Sequence, residues 1–600
     1  MPRSIANITL CAALGFAWLS TRASAVWPAP REVYDTGTTP LLLSADFDIT
    51  FAPTANMPSP IPPDLTIAVT RAKSYLLNDN LRRTVVGRGE GDRASLRGAL
   101  YLDRLELVVL PSATGTTNLS SLHWEAGRPY GDLNEGYMLE VPTGEEGSPA
   151  NPIKEFSSAT LSASNSLGLL RGLQTFVQLV YFLPAGSDTA SLFTSGYFEV
   201  APALRYILNT PIMIVDSPAF PHRGFMLDTS RSYYTVLDIE RTLEIMSWSK
   251  LNVFHWHVTD AQSWPLFLPN YPNLTEAGAY SPGEIYTPQD LTNLEALADS
   301  FGIRIMLEVD MPGHTASIAE SFPEAVACAF LKSWSGYGNE PPTGQLKLGD
   351  AAVQSFAENI SRTAAGLVTG IYFSTGGDEI NTKCYSADPT MNATTIASDN
   401  SINAGLKTFV HGIHDAVREL NKTPVVWEEM VLSHQLNLAN DTIVMVWISS
   451  QNVANVVQEG YRVIHAASNY FYLDCGAGGW LGNAPDLQSW CLFNTWAHSY
   501  SFDPYADIDP QHRHLILGGQ SLLWSEQTDS NNLDSIAWPR GAVAAEVFWT
   551  GHTLANGSPR NLSEALPRLH DWRYRAVSRG AKAIPLQPEW CALRPGACDL

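Results

Sequence analysis

From residue 221 onward the chain repeats one pattern: a short apolar run that ends on a polar or aromatic side chain. Such runs occupy residues 225–228, 253–257, 303–310, 371–373, 425–427, 443–447, 463–472 and 522–524. Runs without polar alternation read as strands covered on both faces. Most are separated by 15 or more residues, and the stretches 239–248, 290–301 and 404–420 have the composition of crossover helices. Eight buried parallel strands with long crossovers predict a (β/α)8 barrel, the TIM-barrel form of the α/β class, over residues 217–600 with a C-terminal extension.

The first part of the chain is patterned differently. Residues 41–51, 105–110 and 136–141 read as strands, and 168–179 as a helix with an apolar stripe, so this region is α+β. The proline-rich stretch 53–63 and the basic stretch 81–97, which carries Arg82, Arg83, Arg88, Arg93 and Arg97, read as flexible. The basic stretch fits a proprotein cleavage site and an exposed loop equally well, which makes 26–97 a candidate propeptide and 98–216 the remainder of the first domain.

Residues 1–25 have the form of a secretory signal, with Arg3, an apolar segment over 10–19 and the small-residue site Ala23-Ser24-Ala25, giving an expected mature start at Val26. Beyond Cys11 there are six cysteines, Cys328, Cys384, Cys475, Cys491, Cys591 and Cys598. In an oxidising compartment an even number implies disulfides, and clustering favours the sequential pairs among about 15 arrangements. Sequons stand at Asn118, Asn273, Asn359, Asn392, Asn421, Asn440, Asn556 and Asn561, with Asn556 the least favoured for glycosylation because Pro559 follows it. The formal charge of −23, from 37 basic against 60 acidic residues, argues against nucleic acid or an anionic membrane as partner. It fits a soluble, exported protein with a neutral or cationic ligand.

If the barrel forms, side chains at the strand ends meet in one pocket. These are Asp228, Asp260, Asp310, Asp378, Glu379, Asp474 and Glu526, with His257, His314 and Arg223, and three tryptophans, Trp427, Trp447 and Trp524. One tryptophan at a strand end is ordinarily core; three in equivalent places suggest a box for the apolar faces of a sugar, with the polar groups bonding its hydroxyls. The segment Ser374-Thr375-Gly376-Gly377-Asp378-Glu379 breaks a strand at two glycines and delivers adjacent acids. Two other readings use the same residues: a metal-dependent barrel hydrolase built on His257, Asp260 and His314, and a barrel that binds sugar without cleaving it.

The motifs His222-Arg223-Gly224 with Leu227-Asp228-Thr229-Ser230-Arg231, Asn252-Val253-Phe254-His255-Trp256-His257, Asp310-Met311-Pro312-Gly313-His314, Gly376-Gly377-Asp378-Glu379 and Trp524-Ser525-Glu526 occur in that order. The chain thereby resembles the β-N-acetylhexosaminidases of glycoside hydrolase family 20, particularly the secreted fungal members. The resemblance implies Glu379 as general acid, Asp378 as the partner of the substrate's 2-acetamido group and Tyr472 as the holder of its oxygen. It places Arg223, Asp474 and Glu526 on sugar hydroxyls, Trp427, Trp447 and Trp524 around the terminal sugar, and Trp490 under the next one. Asp260, His257 and His314 would tune the acid. It also implies a zincin-like first domain without metal, no cofactor, a chitooligosaccharide or other N-acetylhexosamine-terminated substrate, and a homodimer with a propeptide that stays bound. Ser374-Thr375 departs from the family's usual residues and takes no role from it.

Overall fold

A computed structural model describes residues 25–35, 37–52, 60–111, 119–143, 157–188, 199–482, 487–554 and 557–600. The expected signal segment up to Ser24, Asn118 and Asn556 lie outside the described residues.

The eight runs form a closed parallel barrel: β1 (His222–Asp228), β2 (Val253–Thr259), β3 (Arg304–Val309), β4 (Tyr372–Ser374), β5 (Thr423–Trp427), β6 (Ile443–Val446), β7 (Arg462–His465) and β8 (Ile516–Leu523). β8 pairs with β1, so the sheet has no edge. Helices Val236–Ser247, Pro288–Ser300 and Asp399–Arg418 cover it where crossovers were expected. Two of them begin with capping boxes, Thr235 with Asp238 and Thr287 with Asp290, which satisfy first-turn N–H groups. β7 is shorter than its apolar run, because the chain turns after His465 and Ser468–Phe471 is helical.

The first domain is an eight-stranded mixed sheet. Thr39–Phe51 lies inside it, between Leu100–Val109 and Leu204–Thr210, so the candidate propeptide is part of the sheet. Helices Pro63–Asn78 and Ser166–Gln178 meet the barrel, where Arg71 donates to Ser300, Tyr75 to Glu244 and Arg171 to the carbonyl of Gly302. The basic stretch is folded rather than flexible. Arg83 pairs with Asp92 at 2.7 Å, the nearly buried Arg93 with Glu90 at 3.0 Å, and Arg88 lies over the Tyr574 ring of the helix Leu562–Ser578. Trp27 is fully buried and donates its indole N–H to the Ala542 carbonyl, pinning the beginning of the described chain to the barrel.

The disulfides are Cys328–Cys384, Cys475–Cys491 and Cys591–Cys598, as clustering favoured. The six described sequon asparagines with favourable context, Asn273, Asn359, Asn392, Asn421, Asn440 and Asn561, are all exposed.

Candidate active site

The pocket lies at the C-terminal ends of the strands. After β4 the backbone turns through Gly376 and Gly377, both at positive φ. A Cβ on Gly376 would sit 1.9 Å from Asp310 Oδ1, so the close approach of Asp310 requires glycine there. Asp310 Oδ1 accepts the Gly377 N–H at 2.6 Å. Beyond the turn Asp378 is buried, Glu379 is partly exposed at φ 54°, and His314 from the loop after β3 reaches both, its Nε2 3.6 Å from Asp378 and 3.5 Å from Glu379.

The charges here are unequal. Burial, then the neighbouring Asp310, raises the Asp378 carboxyl well above its ordinary range. Asp310 is pushed by burial to about 7. Burial acts on Glu379 too, but the nearby charge of His314, then that of Arg231, outweigh it and lower that carboxyl. His314 is held protonated against burial by Asp260 and Asp378, and its Nδ1 lies 3.0 Å from Asp260. Asp310 and Asp378 therefore hold a proton more readily than Glu379 does.

Arg223 is not in this pocket. It is the second residue of β1, at the opposite end of the barrel and fully buried, with Nη2 2.7 Å from Glu135 and Nε bonded to the Lys250 carbonyl. It joins the two domains. The pocket's arginine is Arg231, three residues past the end of β1, which lies over the Trp524 ring at 5.0 Å and pairs with Asp260 at 2.9 Å, Glu340 at 2.5 Å and Asp228 at 3.4 Å. Arg231 stands in one of the ordered motifs, but the resemblance assigns it no role. Its position just beyond a strand end is the sequence signal that marks it for the pocket.

His257 bonds carboxylates through both ring nitrogens, Glu308 through Nδ1 and Asp260 through Nε2 at 2.7 Å. Against burial, these acids raise it to about 10. A protonated imidazole with both nitrogens engaged has no lone pair for a metal, so the metal reading built on His257 does not fit. Glu308 also stands 3.1 Å from His255 and accepts the Ser374 hydroxyl, and Thr375 meets His414 at 3.2 Å.

The tryptophans line the same mouth. Trp427 is 1% exposed and lies 6.3 Å from Trp524, which packs 6.1 Å from Tyr472. Trp447 lies nearly parallel to Tyr472, with ring centroids 6.2 Å apart, and Trp490, 69% exposed, stands edge-on to both. Asp474 accepts the backbone N–H of Trp524 at 3.4 Å, and burial pushes Asp474 to about 7 and Glu526 to about 8. Aromatic walls with several acids and one arginine can enclose a polar ring with apolar faces.

The description "Glycosyl hydrolase family 20, catalytic domain" matches residues 220–552, and "beta-acetyl hexosaminidase like" matches 26–179. The chain is 35% identical over 467 residues to a beta-hexosaminidase of Arthroderma benhamiae, covering 75% of this chain and 73% of that one. It is 31% identical over 486 residues to the chitooligosaccharidolytic beta-N-acetylglucosaminidase of Ostrinia furnacalis, covering 78% and 75%. Among solved structures, an exo beta-N-acetylglucosaminidase of Vibrio harveyi in complex with N-acetylglucosamine superimposes with a TM-score of 0.68 at 21% identity, over 96% of this chain and 80% of that one.

Proposed function

The chain belongs to glycosyl hydrolase family 20 and is a β-N-acetylhexosaminidase, and we propose that it works as a retaining exo-enzyme whose nucleophile is the substrate's own 2-acetamido oxygen. The reading is carried by the adjacency of Asp378 and Glu379 on one turn, both within reach of the same His314 nitrogen. A retaining enzyme with its own nucleophile sets two carboxyl groups about 5 Å apart across the anomeric centre. Two acids on the same side of the pocket do not flank a bond. They can serve its two ends, Glu379 the leaving oxygen and Asp378 the acetamido group.

Substrate binding would bring an amide N–H to Asp378, favouring its ionised form and moving the proton to Glu379. Glu379 then protonates the glycosidic oxygen as the C1–O bond breaks and the acetamido oxygen bonds to C1. Asp378 stabilises the positive oxazolinium, and Tyr472 orients the carbonyl oxygen beforehand. Water opens the ring at C1 with its proton going to Glu379. Arg231, Asp474 and Glu526 would bind hydroxyls of a terminal, non-reducing N-acetylglucosamine or N-acetylgalactosamine. The substrates of the reading are chitooligosaccharides and similarly terminated glycoconjugates, and Trp490 would carry the next sugar.

Export with a mature start at Val26 belongs to the same reading. It is supported by the three disulfides and the exposed sequons. A homodimer is also expected; light scattering of the purified protein checks it.

The deciding experiment compares 4-nitrophenyl β-glycosides of N-acetylglucosamine, N-acetylgalactosamine and glucose. The first two should be cleaved and the third barely at all. Equal cleavage of the glucoside rules out the acetamido nucleophile.

A further inference from the structure

At the end of β5 two acids follow Trp427, and both engage Trp447, the residue just past β6. Glu428 Oε1 accepts the backbone N–H groups of Trp447 at 3.0 Å and Ile448 at 2.6 Å, and its Oε2 accepts from Asn452 at 2.6 Å. Glu429 takes the Trp447 side chain: its two oxygens lie 3.1 and 3.0 Å from the indole Nε1. Main chain and ring of Trp447 are thus each fixed by a carboxylate.

The ring needs that fixing. Trp427 and Trp524 are 1% and 8% exposed and are locked by packing, whereas Trp447 is only half-buried. Yet Trp447 is the ring that joins the two parts of the pocket, parallel to Tyr472 on one side and edge-on to the exposed Trp490 on the other. An acid is a costly way to hold an indole here. Glu429 is 8% exposed, and burial followed by the nearby Asp378 pushes it up to about 8. A group kept at that cost inside the site is more than filler.

We propose that Glu429 is a positioning residue of the hexosaminidase: through the Trp447 indole it sets the ring wall that presses the 2-acetamido group toward the anomeric carbon. The proposal rests on the substrate-assisted reading above. It predicts loss in turnover more than in binding, because a slack wall leaves the sugar bound but its nucleophile badly aimed.

The test is steady-state kinetics on 4-nitrophenyl β-N-acetylglucosaminide and chitotriose for Glu429→Ala, Glu429→Gln, Trp447→Phe and the Ala/Phe double variant. Glu429→Ala should lower kcat about thirtyfold with KM changed less than about threefold. Glu429→Gln should recover most of that loss, since its amide oxygen accepts the same N–H. The double variant should be no slower than its slower parent, as expected for groups acting through each other. Glu429→Ala within twofold of the unmodified enzyme overturns the proposal, as does multiplication of the two single losses. If the alanine variant does not fold, an active Glu429→Gln beside an impaired Trp447→Phe supports it, and a Glu429→Gln slower than Trp447→Phe overturns it. Cleavage of the plain glucoside by the unmodified enzyme would refute the acetamido nucleophile instead, so the two failures are distinguishable.

Discussion

Asp310 Oδ1 takes the N–H of Gly377 at 2.6 Å, and this bond, made possible by the missing Cβ of Gly376, holds the turn that presents Asp378 and Glu379. The turn can be tested at Gly376. Gly376→Ala places a methyl 1.9 Å from Asp310 Oδ1 at a φ of +64°, so backbone or Asp310 must move. We expect kcat to fall at least about a hundredfold, the scale of a displacement near 1 Å at the reacting groups, with the folded state retained by circular dichroism. Activity within fivefold of normal would show that the turn is not set this way.

Arg223 and Arg231 should respond in opposite ways. Arg223→Leu leaves Glu135 with Arg171 alone in a fully buried cluster. Breaking a buried pair costs about 3–5 kcal/mol, so its Tm should drop sharply while KM of the surviving folded enzyme is unchanged. Arg231→Lys keeps the charge but loses the planar fork that meets Asp228, Asp260 and Glu340 at once and the stacking on Trp524. It should raise KM about tenfold or more with a smaller change in Tm. A raised KM in the Arg223 variant would return that residue to the substrate.

The contrast shows what the amino-acid order carries. All eight barrel strands are legible as apolar runs because both faces of each are covered, and the turn that presents Asp378 and Glu379 is legible because two glycines before them mark it. Which end of a strand a residue occupies is not in the alternation. Arg223 and Asp228 lie in one strand, five positions or about 17 Å apart, and only the second is at the mouth. The apolar run 463–472 likewise gives no sign that its later part leaves β7 for a helix over Ser468–Phe471. Glu429 was invisible for another reason: its use depends on an indole on the next strand.

The raised acids fix the direction of the pH dependence of stability. Asp310 and Asp474 at about 7, Glu429 and Glu526 at about 8, and Asp378 with them, lie above the unfolded values of about 4. A group raised on folding contributes stability that is complete below its unfolded pKa and is lost as pH climbs through its folded pKa. His257, raised to about 10 from an unfolded value of about 6.5, adds a loss over that higher window. Asp260 and Glu308 are depressed instead, so their contribution is lost as pH falls below about 4. The ligand-free protein should therefore melt highest near pH 5 and progressively lower toward pH 8. Glu526→Gln should flatten the decline. A Tm that rises from pH 5 to pH 8 contradicts the assignment.

The loop carrying Trp490 offers the last check. Cys475 and Cys491 close it across a sequence separation of 16, Trp490 sits immediately before the second cysteine, and the Gly476 and Gly478 N–H groups bond Ser489 Oγ at 3.1 and 3.2 Å. Closing a loop of that size removes conformational freedom from the unfolded chain worth about 3 kcal/mol. Cys475→Ser with Cys491→Ser should therefore lower Tm by several degrees. If Trp490 carries the second sugar, the freed loop must be ordered again each time a longer substrate binds. KM for chitotriose should then rise about fivefold or more while KM for the 4-nitrophenyl monosaccharide, whose leaving group gains less from that platform, rises less. Equal changes for both substrates would remove Trp490 from the second subsite and leave the disulfide a purely structural clasp.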